Sequence, residues 1–253
     1  MILKFLSELT ESGYRIFSID DAKVIASSLS IKKNYLPRIL TSLIKKGMIR
    51  SLMRGHYAVA DHILSGAPLH KYEIAMHLAK DGAICCWSAM STYELTDQIL
   101  TTVFVLVPHL YDKNRSTNHY KIDGYEYVFI QTHTSHFWGT EYKRFGETKI
   151  RITDLERTLL DGLIRSNYCG GFREVMSAFV IAKEKLNLIK LVGYASRCSI
   201  SVRKRLGYTL EKLGIEITPD ELGIESTNYY DKLDTAGLRR GKENKKWMIL
   251  ENI

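Results

Sequence analysis

No apolar run in the 253-residue sequence approaches the roughly 18 residues that a membrane-spanning helix needs. The opening stretch, MILKFLSEL, is too short and too charged for a signal-peptide core, so a cytoplasmic location is expected. Cysteine is scarce. Cys85, Cys86, Cys169 and Cys198 form no Cys-x-x-Cys pair, and no nearby histidine spacing resembles a zinc site. They are expected to be buried thiols, with no metal or cofactor. A Walker loop, Gly-x-Ser-x-Gly and His-Glu-x-x-His are all missing, and no internal repeat or low-complexity tract stands out.

Positive charge is plentiful. Thirty-six Lys and Arg against 28 Asp and Glu give a net +8 and a pI near 9.2, which favours a polyanionic partner without choosing among DNA, RNA and anionic lipid. Its distribution is more informative: residues 1–60 hold ten Lys/Arg and four Asp/Glu, a surplus of +6 in under a quarter of the chain.

That segment reads as three helices and a hairpin. Ile2, Phe5, Leu6 and Leu9 share one helical face, and Gly13 marks its end. Ser18 and Asp21 have capping-box spacing before the stripe Ala22, Ile25, Ala26 and Leu29. In the third helix Leu36, Ile39, Leu40, Leu43 and Ile44 form the inward stripe, while Asn34, Arg38, Thr41 and Lys45 lie opposite, flanked by Tyr35 and Ser42. Proline has no N–H and is tolerated in a first turn, so Pro37 fixes the helix start and places Lys32, Lys33 and Asn34 at its positive end. After Gly47, residues 48–52 and 56–60 read as strands joined through Met53-Arg54-Gly55.

This order is the winged helix-turn-helix arrangement, in which the third helix enters the DNA major groove and the wing touches backbone or minor groove. Asn34, Tyr35, Arg38 and Thr41 are candidates for base edges; Lys32, Lys33, Lys45, Lys46, Arg50 and Arg54 are candidates for phosphates. A winged helix used for protein contact, its lysines merely solvated, is the plainer alternative.

Residues 61–68 (DHILSGAP) have linker composition, and a second, larger domain is expected over 69–253. Residues 71–80 and 87–95 read as helices, AICC as a buried strand, and TTVFVLVP, YEYVFIQT and KIRIT as further strands. From Asp154 onward the chain reads as helices. The fold class is therefore mixed α+β: a winged helix followed by a larger α/β domain ending in helices.

Four stretches behind the winged helix, WSAMSTYELTDQ, RITDLERTLLDGL, YCGGFREV and RKRLGYTLEKLG, occur in an order that resembles the AbiEi family of antitoxins. The likeness covers nearly the whole chain, including the basic ending DKLDTAGLRRGKENKKW. It departs at Tyr93-Glu94, where a His-Gly-like pair is expected. The resemblance implies a bacterial toxin–antitoxin operon linked to abortive phage infection. The N-terminal domain would repress that operon at inverted repeats in double-stranded DNA. The C-terminal domain would counter a nucleotidyltransferase toxin without requiring a stable complex.

Enzymatic readings are weaker. Asp154, Arg157 and Asp161, with Glu156, could pair carboxylates for catalysis, but an arginine between acids more often caps and orients a helix. Glu141-x-Lys143 fits a nuclease step that needs a further acid, for which Asp97, Asp112 and Asp123 are candidates. His133 and His136 beside Phe137 and Trp138 could bind metal or stack on a base; an exposed loop is the simpler expectation. Arg203-Lys204-Arg205 is expected to be solvated helix surface. The tail carries Arg239, Arg240, Lys242, Lys245 and Lys246 against Glu243, a net +4 in eight residues, and could contact nucleic acid. No catalytic residue is assigned, and the protein is expected not to be an enzyme.

Overall fold

The computed structural model describes residues 1–64, 67–109, 117–146, 148–225 and 229–253. The first helices and strands are α1 (Ile2–Glu11), β1 (Ile16–Ser18), α2 (Ile19–Ser28), α3 (Leu36–Lys45), β2 (Ile49–Met53) and β3 (His56–Val59). The strands pair antiparallel in the order β1-β3-β2, which completes a winged helix. Ser18 caps α2 as the sequence predicts: its hydroxyl accepts from Asp21 N at 3.1 Å, and the Asp21 carboxylate accepts from Ser18 N at 2.7 Å. Phe5, Leu9, Phe17, Ile25, Leu36, Ile39, Leu40 and Leu43 form this domain's core. Ile44, at the rim of the predicted stripe, is instead exposed.

The larger domain begins with α4 (Lys71–Leu78), β4 (Ala83–Ile84) and α5 (Cys86–Thr92). It continues with β5 (Thr102–Val107), β6 (Thr117–Ile122), β7 (Tyr125–Gln131), β8 (Thr140–Phe145) and β9 (Thr148–Thr153). These strands form one mixed sheet, β6-β7-β5-β4-β9-β8. Because strand side chains alternate between faces, Phe104, Leu106, Val128 and Ile130 join one core while Val103, Val105, Tyr127 and Phe129 join another. Burial on both faces explains the unbroken apolar run of β5. The edge strands β6 and β8 escape the sequence reading because their segments, TNHYKI and TEYKRF, are largely polar.

Helices α6 (Leu155–Ile164), α7 (Phe172–Ala182), α8 (Leu188–Ala195) and α9 (Ile200–Lys212) follow on the first face. They do not end the chain. Strands β10 (Asp231–Lys232), β11 (Lys242–Asn244) and β12 (Ile249–Glu251) make a small third sheet, pinned by fully buried Trp247. A Cβ on Gly207 of α9 would lie 2.0 Å from the Trp247 ring, so a glycine is required for this approach.

The tail is also held by the basic run that the sequence places on a solvated surface. Lys204 is fully buried and pairs with Asp231 at 2.9 Å. Arg205 donates to Lys232 O at 2.8 Å and Leu163 O at 3.2 Å, while Arg203 donates to Leu222 O and Gly223 O. The expectation of a solvated face is thus corrected: chain carbonyls and one carboxylate take the place of water.

The two domains are packed together. Leu52 and Ala58 belong to the same apolar cluster as Ile74, Ala75 and Val105. Arg15 lies 3.1 Å from Glu73, and Arg50 pairs with Asp123. The segment expected as a linker is partly tied down, with the Asp61 carboxylate accepting from Leu69 N at 3.1 Å; residues 65 and 66 lie outside the described residues.

Candidate nucleic-acid interface

Between Asp21 and Asp61 the sequence holds no carboxylate and eight Lys or Arg residues. The fold gives that imbalance a direction. Lys32 enters a 3₁₀ turn, Lys33–Tyr35, that runs straight into α3; Tyr35 is the N-cap and Pro37 the second helical residue. Pro37 therefore costs no intrahelical bond.

Lys32, Lys33, Asn34, Tyr35, Arg38, Thr41, Lys45 and Lys46 are all exposed. Arg38 reaches over the Tyr35 ring, 5.8 Å from its centroid, and the Thr41 hydroxyl donates to Pro37 O at 2.8 Å, keeping its acceptor capacity. Pro37, Arg38, Thr41, Ser42 and Lys45 line an open depression along the helix, with no residue of the larger domain across it. Among the described residues, Lys32, Lys33, Arg38, Lys45 and Lys46 make no ion pair. Their charge is thus uncompensated by protein, and the helix start adds its own positive end.

The wing differs. It turns tightly at Arg54-Gly55, and Gly55 O accepts from Ile19 N at 2.7 Å. Arg54 is exposed but lines a cavity between the wing and the larger domain, together with Met53, His56, Leu78 and Phe129. Arg50 is neutralised by Asp123. Arg50 thus has a carboxylate partner that the α3 cations lack among the described residues, and it joins the two domains. Sequence spacing could not show this, because Asp123 lies 73 residues away.

The other candidates have structural partners. Asp154 caps α6, accepting from Arg157 N at 2.9 Å and from the Tyr194 hydroxyl at 2.9 Å; Lys190 lies 3.1 Å from Asp154 and 2.8 Å from Glu156. Buried Arg157 pairs with Asp161 at 3.0 Å. Despite the cost of burial, Lys190 holds the Glu156 carboxyl below its usual range.

Glu141 accepts from the Tyr93 hydroxyl at 2.8 Å, and Lys143 stands 3.8 Å from both Glu141 and the centre of the Tyr93 ring. Burial first and then Glu141 push the Tyr93 phenol well up, so it stays a donor. Strand β9, beside these residues, carries no carboxylate. Asp123 is already paired with Arg50, and Asp112 lies outside the described residues. His133 and His136 are exposed, and among the described residues no group of three His, Cys, Asp or Glu could hold a metal ion. The tail's Arg239, Arg240, Lys242, Lys245 and Lys246 are exposed; Arg239 donates to Tyr230 O, and Lys246 pairs with Glu211.

The class defined is a two-domain mixed α+β protein with an N-terminal winged helix. No family model and no curated protein matches the chain. Among solved structures it is similar to the RV2827C protein from Mycobacterium tuberculosis, with a TM-score of 0.64 and 13% identity over 98% of this chain and 90% of that one. At that identity the likeness shows the fold alone.

Proposed function

We propose that the chain is a DNA-binding antitoxin that represses its own bacterial toxin–antitoxin operon. In this reading α3 enters the major groove at inverted repeats and the larger domain counters a nucleotidyltransferase toxin. The supporting observation is the open, carboxylate-free face of α3, whose cations make no ion pair among the described residues. The antitoxin assignment itself leans on the resemblance of the quoted motifs to AbiEi antitoxins. Arg38 would read guanine and Asn34 adenine, while Lys32, Lys33, Lys45 and Lys46 neutralise phosphates.

Footprinting tests the reading. The protein should protect inverted repeats upstream of its own gene without divalent metal, with an affinity that falls steeply as salt rises. Equal binding to unrelated duplexes, or none, rejects it. Co-expression with the neighbouring toxin should restore growth.

A second reading, a regulator whose larger domain binds a protein partner, is favoured by the exposed apolar residues Val180, Ile181 and Ile189, the last 90% exposed. Stable co-purification with the neighbouring gene product would support it.

A further inference from the structure

A cavity of about 220 Å³ lies in the larger domain; Arg157, Arg165, Arg197, His136, Trp138 and Ser199 are among its lining, beside the apolar Ile164 and Val202. Its donors are only partly used. Arg157 is explained by structure: Nε donates to Asp161 at 3.0 Å and Nη1 to His136 O at 3.1 Å, which fixes the preceding loop. Arg165 is not, because its Nη1 is shielded from solvent and has no acceptor. Trp138 Nε1 is in the same position. Leaving such donors unpaired is costly, so an unfilled need of this kind calls for an acceptor. Arg197 is exposed, makes no ion pair among the described residues and leans on the Trp138 ring at 5.5 Å.

The charge around the cavity is unbalanced. Three guanidinium groups stand against the Asp161 carboxylate, whose ionised form burial already disfavours even though Arg157 opposes that effect. Asp161 Oδ2 also lacks a partner. The start of α9 adds to the positive side: Ser199 is its N-cap without a side-chain cap bond, and its first turn carries no acid. Elsewhere in the domain Lys204 is matched by Asp231, and Lys190 by Asp154 and Glu156.

We propose that this cavity binds a phosphate monoester, with Arg165 and Arg197 of its lining reaching the phosphoryl oxygens and Ser199 at the α9 start beside them. The surplus of guanidinium groups over carboxylate matches a dianion better than a carboxylate, and a guanidinium fork suits phosphoryl oxygens. The volume is below the roughly 300 Å³ at which sites for drug-sized ligands begin, so the phosphoryl group enters and the rest of the ligand stays outside. The ligand is either a free nucleotide-like phosphate or the 5′-phosphate of an RNA. The site is independent of the DNA reading of α3.

Calorimetric titration of the full chain at constant ionic strength tests the proposal. Inorganic phosphate should bind saturably and acetate should not. Arg197→Ala, at an exposed unpaired residue, should leave the melting temperature unchanged and weaken phosphate about tenfold, the loss of one charge-assisted contact. Arg165→Lys should weaken it too, while Arg239→Ala should not. A 5′-phosphorylated RNA binding more tightly than its 5′-hydroxyl form assigns the RNA end. A nucleoside monophosphate binding with no such RNA preference assigns the small ligand. Acetate binding as well as phosphate, or phosphate affinity surviving Arg197→Ala unchanged, overturns the proposal.

Discussion

Single residues carry the first predictions. Arg38 is exposed on α3 and reaches over the Tyr35 ring, so its removal costs the fold little. In the DNA reading, Arg38→Ala should lose about 1–3 kcal/mol on the preferred operator and flatten the ranking among sequences. Lys45→Ala should instead weaken all sequences alike and reduce the salt slope by about one unit, both measurable by fluorescence anisotropy. His77 tests the domain contact. Burial, then the His56 ring 3.0 Å away, hold its pKa down at about 4, with Asp21 pulling the other way. The unfolded chain regains the ordinary value near 6.5, so between pH 6.5 and 4 it binds more protons than the folded chain. Stability should therefore fall as pH drops through that window. Urea denaturation of His77→Gln should show a shallower fall.

At the level of elements, legibility depends on whether the neighbours of a segment are close in sequence. Helices α1 to α3 were readable because their stripes and the Ser18 cap are local, and Pro37 marks a start that α3 obeys. Helix α9 was readable as a helix and misread as a surface, since nothing within the RKR run reveals that Asp231 and the carbonyls of Leu163, Leu222 and Lys232 will approach. The consequence is testable. Lys204→Met leaves Asp231 without its buried partner and should cost about 3 kcal/mol, seen as a lower urea midpoint together with greater exposure of Trp247 fluorescence. Polar edge strands β6 and β8 were lost for the converse reason: their pairing rests on strands β7 and β9, not on their own pattern.

For the whole molecule, the relation between the two domains sets behaviour. The winged helix shares Leu52 and Ala58 with the apolar cluster of the larger domain, and Arg15–Glu73 and Arg50–Asp123 join the same face. Wild-type protein should thus unfold in one calorimetric transition. Leu52→Asp places a charge in that contact and should split it into two. Holding the wing in this way leaves α3 as the principal open basic element of the N-terminal domain, so DNA contact should depend more on α3 than on Arg54.

The sequence by itself determined the mixed α+β class, the winged-helix order and the polar side of α3, because periodicity, caps and turn residues act over a few positions. It also placed Asp154 at the start of α6, where the structure finds it capping. Only the tertiary structure decided which cations are free. Arg50, Lys204 and Arg205 acquire partners from distant segments, Arg38 and Lys45 acquire none among the described residues, and Arg165 is brought with Arg197 around one cavity. A charge is compensated by whatever the folded chain brings within a few ångströms, and that proximity is a property of packing rather than of order along the chain.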